Sequence, residues 1–234
     1  MTHVDRDMTV TEHLEELRRC LIVCLIALFA GTAVVWFWSG DFLSWLAKPV
    51  GGLIFIAPTE AFFTRLKVAM FGGFLLVLPV VLYEAWSFTA CAMGEALRRA
   101  LAFVIPVSYL LFVCGVALAV LVVVPTAVRF LIGYGSADVR PLLTVGGYLD
   151  FVAMLSLAFG ATFQIPLVMM SLERAGLVSR KALAAKRRYF YVGGFIMAAM
   201  LTPGPDVFSQ LALAIPIVLL FEASLLVMRR SGSS

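Results

Sequence analysis

Histidine and cysteine are both scarce in this chain, and that limits its chemistry. The two histidines, His3 and His13, lie ahead of the first apolar run. Histidines in such a polar segment read as solvated side chains rather than ligands. The four cysteines, Cys20, Cys24, Cys91 and Cys114, form no CxxC pair, and none falls in an expected external loop. They read as small apolar helix residues, not as disulfides or metal ligands. Charge is also thin: 14% of residues are charged and 62% are hydrophobic, with a mean hydropathy of +1.03. That composition excludes a soluble globular domain. No Walker A loop, HExxH or GxSxG is present, so nucleotide or peptide hydrolysis has no motif to rest on. No nucleophile–base pair suggests an intramembrane enzyme, and no metal or cofactor is expected. Internal repeats, low-complexity tracts and a clean GxxxG are missing as well.

What the chain does have is long apolar runs. Six candidate spans lie at about 20–39, 68–90, 101–124, 150–172, 189–202 and 208–228. The reading is an all-α polytopic membrane protein, residues 1–234 forming one membrane domain. A cytoplasmic N-terminal helix occupies 1–19, and external loops occupy about 40–67, 125–149 and 203–207. Lys and Arg pile up in alternate interspan stretches. Residues 1–19, 91–100, 173–188 and the tail hold 13 of the 18 basic residues, among them Arg18, Arg19, Arg98, Arg99, Lys186 and Arg187. The other side holds Lys48, Arg65, Lys67, Arg129 and Arg140. Basic loops resist translocation, so both termini face the cytoplasm of a multi-pass protein in the cytoplasmic membrane. The net charge of +4 follows from this bias and implies no nucleic-acid partner. The first apolar run is too long for a signal-peptide core and lacks a small-residue cleavage site, so it reads as a retained span.

Local signals subdivide the runs. Thr9-Val10-Thr11-Glu12 fits a capping box ahead of a charged helix that continues into the first span. Trp36-Phe37-Trp38 forms an aromatic belt at its outer end. Residues 41–48 carry Phe42, Trp45 and Leu46 at helical spacing, which predicts a short interfacial helix stopped by Pro49. Pro58 and Glu60 suit the first turn of the next helix. Pro125 is expected to end the third span. The last two spans read as short. The fifth covers only 189–201, about 20 Å against about 30 Å of hydrocarbon. Glu222 interrupts the sixth, and the turn Thr202-Pro203-Gly204-Pro205-Asp206 separates the pair. Two crossings with local bilayer thinning fit this pattern, and a re-entrant hairpin is the alternative.

Glu84, Gln164 and Glu222 lie within or at the edge of apolar runs. Polar groups there are costly unless paired, and are functional candidates by default. Gln164 must satisfy its amide, either by hydrogen-bonding helices together or by serving a site. A secondary transporter with a midplane site at Gln164 and Glu84 is the competing reading. It predicts paired broken helices and an inverted repeat, and neither is visible.

In four places, in chain order, the sequence resembles the TatC family, the multi-spanning receptor subunit of the twin-arginine protein translocase. These are His13-Leu14-Glu15-Glu16-Leu17-Arg18, Pro58-Thr59-Glu60-Ala61-Phe62, Ala158-Phe159-Gly160-Ala161-Thr162-Phe163-Gln164-Ile165-Pro166, and Thr202-Pro203-Gly204-Pro205-Asp206-Val207-Phe208-Ser209-Gln210. Leu213-Ala214-Ile215-Pro216 and Glu222 also match. Three positions depart from the family pattern: Gln164 stands where the family has an acid, Leu97 where a Glu precedes the Arg pair, and Cys91 where a proline is usual.

The resemblance implies a receptor that binds twin-arginine signal peptides of folded precursors at the cytoplasmic face. Export would be driven by the proton-motive force. Its partners would be single-span TatA-like and TatB-like proteins, with the chain a homo-oligomer in a receptor complex. Glu16, with Glu15, Glu12, Arg18 and Glu95, would form the signal-peptide site, because an arginine pair is best held by carboxylates. The bland alternative is helix solvation, with Glu15 neutralised by Arg18 or Arg19 one turn later. Gln164, Thr162, Glu222, Asp206 and Gln210 are the intramembrane or partner-docking candidates. Pro49, Pro58, Glu60 and Phe62 would shape the external loop.

Overall fold

A computed structural model describes residues 10–50, 52–93, 95–133, 142–202 and 207–231. Among these the chain is helical apart from short connections and one isolated parallel bridge, Ile54 with Thr144. The helices are α1 (Val10–Trp36), α2 (Ser39–Ala47), α3 (Pro58–Met93), α4 (Glu95–Leu118), α5 (Val124–Ile132), α6 (Val145–Thr162), α7 (Ile165–Arg174), α8 (Arg180–Ala185), α9 (Arg187–Leu201) and α10 (Val207–Ser231). Thr9 of the expected capping box and Asp206, together with the side chains of Pro49 and Glu95, lie outside the described residues.

Among the described residues, five stretches are long and apolar enough to cross a bilayer: Thr11–Trp36, Pro58–Ala90, Ala102–Ile132, Val145–Arg174 and Val207–Met228. α9, at 15 residues, is about 22 Å long and falls short of the rest. The expectation that the last two spans are both short holds for α9 alone. α10 runs for 25 residues straight through Glu222, because that carboxylate is paired with side chains of α9. A second difference concerns Pro125. The third apolar stretch does not stop there; it passes through a π turn at Ala119–Val123 into α5. Proline's ring crowds the carbonyl four residues earlier and its nitrogen has no hydrogen to donate. The wider π turn accommodates both effects without ending the helix.

α1 packs along α3, α3 along α4 and α6, and α10 along α7 and α9. The α1–α3 crossing rests on small residues. A Cβ on Gly73 would lie 2.5 Å from the backbone nitrogen of Thr32, and one on Gly31 would lie 2.8 Å from the Gly73 carbonyl. Only glycine on both helices permits this approach, so the missing GxxxG is replaced by a glycine contact between distant segments. The main core gathers Val124, Tyr148, Val152, Leu155, Phe159 and Leu213 from α5, α6 and α10. Leu21, Leu25, Ile26 and Phe29 of α1 point outward, as expected where the surrounding solvent is lipid.

At the α2 end, the two connections are tied together. The Ile54 N–H donates to the Leu143 carbonyl at 3.0 Å, and Val145 N–H donates to the Ile54 carbonyl at 2.9 Å. At the opposite end, α7 closes with Gly176 at φ +72°. Gly176 N–H bonds the Glu173 carbonyl and Leu177 N–H the Leu172 carbonyl, a Schellman closure that requires the left-handed residue.

Candidate functional site

α1 carries its acidic turn beyond the apolar part of the helix. Glu12 and Glu15 are exposed, Glu16 is half-buried, and Arg18 and Arg19 are exposed. Glu15 makes no ion pair with Arg18 or Arg19, so the neutralisation one turn along that the solvation alternative supposes is absent. Glu15, Arg18, Arg19 and Ile22 instead border a shallow hollow of about 300 Å³. α1 is held against α3 here by His13, whose ring stacks on Phe88 at 4.3 Å. One turn further in, the Cys20 thiol donates to the Glu84 carbonyl at 3.9 Å. The acidic turn is thus fixed in position relative to α3, with the Glu15 side chain exposed and Glu16 half-buried.

Gln164 occupies the break between α6 and α7. Pro166 has no N–H to give the Thr162 carbonyl, and the helix restarts with Gln164 O accepting from Leu167 and Val168, both at 3.0 Å. The side chain turns inward to α4. Its Nε2 donates to the Ser108 carbonyl at 2.9 Å, and the Ser108 hydroxyl donates to Oε1. Trp86 Nε1 on α3 donates in turn to the Ser108 hydroxyl at 3.0 Å. Three helices are therefore joined by one polar clamp, and Ser108 at its centre is fully buried. An amide has two N–H donors. The side chain also borders a hollow of about 280 Å³ walled by Leu82, Trp86, Thr89 and Val168. Thr162 is buried at the end of α6.

Glu222 of α10 accepts from Arg187 at 2.8 Å and from the Tyr191 hydroxyl, both on α9. Phe190 stacks on Phe221 beside it. Nearer the other end of the pair, Gln210 Nε2 donates to the Phe195 carbonyl at 3.3 Å. Gln210, Val192, Phe195, Ile196 and Ala199 border a hollow of about 420 Å³.

Glu60 does for the loops what Gln164 does for the bundle. α3 has 36 residues, about 54 Å against a hydrocarbon layer of about 30 Å, and Glu60 in its first turn precedes the expected span at 68–90. Its carboxylate accepts from the Ile56 N–H at 2.8 Å and the Gly146 N–H at 2.9 Å. These backbone donors hold its pKa below the ordinary glutamate value. Pro58 opens α3, and Phe62 lies edge-on to Trp36 with centroids 6.0 Å apart.

The structure thus joins residues distant in sequence at three separate places, the Gln164 clamp, the α9–α10 polar pair and the Glu60 staple, and holds the α1 acidic turn against α3 at a fourth. Sequence reading missed Ser108 and Trp86, because a serine or tryptophan in an apolar run carries no sign of its partner. It also missed Arg187 and Tyr191 as partners of Glu222. The signal available there was an acid and a base in facing segments on the same side of the expected membrane.

Comparison with known proteins agrees over nearly the full length. Residues 12–216 match the family model described as Sec-independent protein translocase protein TatC. The Sec-independent protein translocase protein TatC of Carboxydothermus hydrogenoformans is 38% identical over 227 residues, covering 95% of this chain and 93% of that protein. That of Aquifex aeolicus is 36% identical over 226 residues, 93% of each. Two crystal structures of the twin arginine translocase receptor TatC superpose with TM-scores of 0.81 and 0.82, both at 35% identity. They cover 92% and 94% of this chain, and 99% and 100% of their own. With the helix order, the Gln164 break and the Glu60 staple lying inside the matched region, the chain belongs to the TatC family.

Proposed function

We propose that this chain is the receptor subunit of a twin-arginine translocase, and that the acidic turn of α1 binds the arginine pair of export signal peptides. The observation that carries this reading is the placement of Glu15 and Glu16 on a turn fixed against α3, with no ion pair from Arg18 or Arg19 to Glu15. A guanidinium pair needs carboxylates held in place but not already neutralised. Glu12 lies one turn back on the face of Glu16 and extends the acidic surface. Arg18 borders the same surface and sets its edge. Glu95 belongs to the proposed site by its place at the start of α4.

The proposed topology has six crossings and both termini in the cytoplasm, with α9 the short fifth span. Its support is the basic bias of the chain and the antiparallel run of α9 along α10, seen in the Arg187–Glu222 and Phe195–Gln210 contacts. The proposed partners are single-span TatA-like and TatB-like helices, taken up by the polar intramembrane groups. Gln210 and Glu222 mark one contact surface along α9 and α10, and Asp206, outside the described residues, is proposed for the same role from the sequence alone. Gln164 and Thr162 mark a second.

Binding of a twin-arginine peptide to the purified receptor tests the signal site. Glu16→Ala is expected to weaken binding by about 1.5–3 kcal/mol, the range for a hydrogen bond to a charged group. Glu16→Lys is expected to weaken it further by like-charge repulsion, and Glu95→Ala less than Glu16→Ala. Unchanged affinity in both Glu16 variants would reduce Glu16 to a solvated surface residue.

A further inference from the structure

On the α2 side of the bundle an apolar groove of about 710 Å³ lies between α1, α3, α4 and α6. We propose that this groove holds one phospholipid with a zwitterionic, amine-bearing headgroup of the phosphatidylethanolamine kind. Three observations carry the proposal, and none depends on the signal-peptide reading.

The first is depth. On α3 the groove walls run from residue 67 to residue 75, and on α6 from 149 to 157. Eight residues of helix cover about 12 Å, somewhat less than one leaflet of a hydrocarbon core about 30 Å thick. A spanning partner helix would need a seat running the full thickness. An acyl chain anchored at the α2 end needs only this much.

The second is the mouth. Among the described residues, the only charged ones on the walls are Lys67 and Asp150, one on α3 and one on α6. They pair at 2.7 and 2.9 Å across the opening, with side chains 50% and 61% exposed. An exposed pair contributes little and separates readily. Opened, it presents an ammonium to a lipid phosphate and a carboxylate to a lipid amine. Phosphatidylglycerol lacks the amine and leaves Asp150 facing negative charge. Phosphatidylcholine has the positive charge but no N–H to donate to the carboxylate. Phe42 and Trp45 of α2 flank the opening, as aromatic side chains do at headgroup level.

The third is the wall on the α4 side. The π turn at Ala119–Val123 lies beside the groove, and Val120 and Leu121 from it line the cavity. π turns widen a helix locally and recur where helices shape functional sites.

Native mass spectrometry of the purified, delipidated chain in detergent tests this. The probes are phosphatidylethanolamine, phosphatidylcholine and phosphatidylglycerol with identical acyl chains. The expected result is one phosphatidylethanolamine per chain, bound at least about tenfold more tightly than either of the others. Ala153→Trp, which fills the groove, should lower that affinity by a similar factor. Lys67→Ala combined with Asp150→Ala should erase the headgroup preference. Equal affinity for the three lipids, or full retention by Ala153→Trp, would overturn the proposal. If Ala153→Trp does not fold, the double alanine variant decides alone, since it changes exposed groups only. A photocrosslinker at position 153 in native membranes should capture acyl chains; capture of a signal peptide or a single-span helix instead would also overturn it.

Discussion

Gln164 shows how one substitution in a membrane protein changes what a site can do. An acid at this position would carry a proton or a charge. The amide carries neither, but it donates and accepts at once. The Ser108 backbone carbonyl and hydroxyl use both functions, and Trp86 completes the clamp. Gln164→Leu would leave the buried Ser108 groups short of partners, so thermal unfolding in detergent should show a loss of about 1–3 kcal/mol. Precursor transport should fall with it. Gln164→Glu should retain much of both when protonated, because a neutral carboxyl donates and accepts in the same way. Normal stability and transport in Gln164→Leu would remove the residue from the proposed site. A large gain in transport from Gln164→Glu would show a proton-linked step that the amide performs poorly.

Among the elements, two contacts hold helices and loops in register, and each makes its own prediction. The α1–α3 crossing has no room for a side chain at Gly73, where a new Cβ meets backbone at 2.5 Å. Gly73→Ala should cost on the order of 1–3 kcal/mol through overpacking and lower the unfolding temperature. Gly193 of α9 has nothing within 4 Å of the same position. Gly193→Ala should be neutral or stabilising by about 0.5–1 kcal/mol, since alanine is the better helix former. Equal effects from the two substitutions would contradict the close crossing. The Glu60 staple predicts a pH dependence. Its carboxylate is held below the ordinary glutamate value by the Ile56 and Gly146 N–H groups. A group with a lowered folded pKa stabilises above its unfolded value and loses that contribution as pH falls through the folded one. Glu60→Gln should therefore unfold at a lower temperature than the parent chain at neutral pH. The gap should close in acid below the glutamate range. A gap that persists at low pH would assign the effect to something other than charge.

The whole molecule poses the question of how many times the chain crosses the membrane. Among the described residues, five stretches meet the length of a bilayer and α9 does not. If α9 crosses as proposed, lipid beside it must thin or the helix must draw in flanking residues. Single cysteines at positions 44, 185 and 207, in a chain freed of its native cysteines, decide the matter with an impermeant thiol reagent. Positions 44 and 207 should label from one side and 185 from the other. Agreement of 185 with 207 would mean that α9 turns back without crossing.

The apolar runs and the basic bias were enough to specify an all-α membrane protein, because in lipid the backbone must satisfy its own hydrogen bonds. The four motifs were enough to place it in its family, and Pro58 and the turn after Leu201 marked real helix boundaries. Partners were not legible. Ser108 lies 56 residues from Gln164, and Glu222 lies 35 from Arg187, so no local pattern records either pairing. Glu222 read as an interruption because, seen alone in an apolar run, a charge is costly. Only the packing of α9 on α10 supplies the cation and hydroxyl that let the helix continue through it. Pro125 read as a stop for the same reason: local rules see the missing N–H, and the π turn that absorbs it exists only in the folded chain. The glycine crossing and the charged mouth of the groove were decided likewise by distances between segments, which the sequence does not contain.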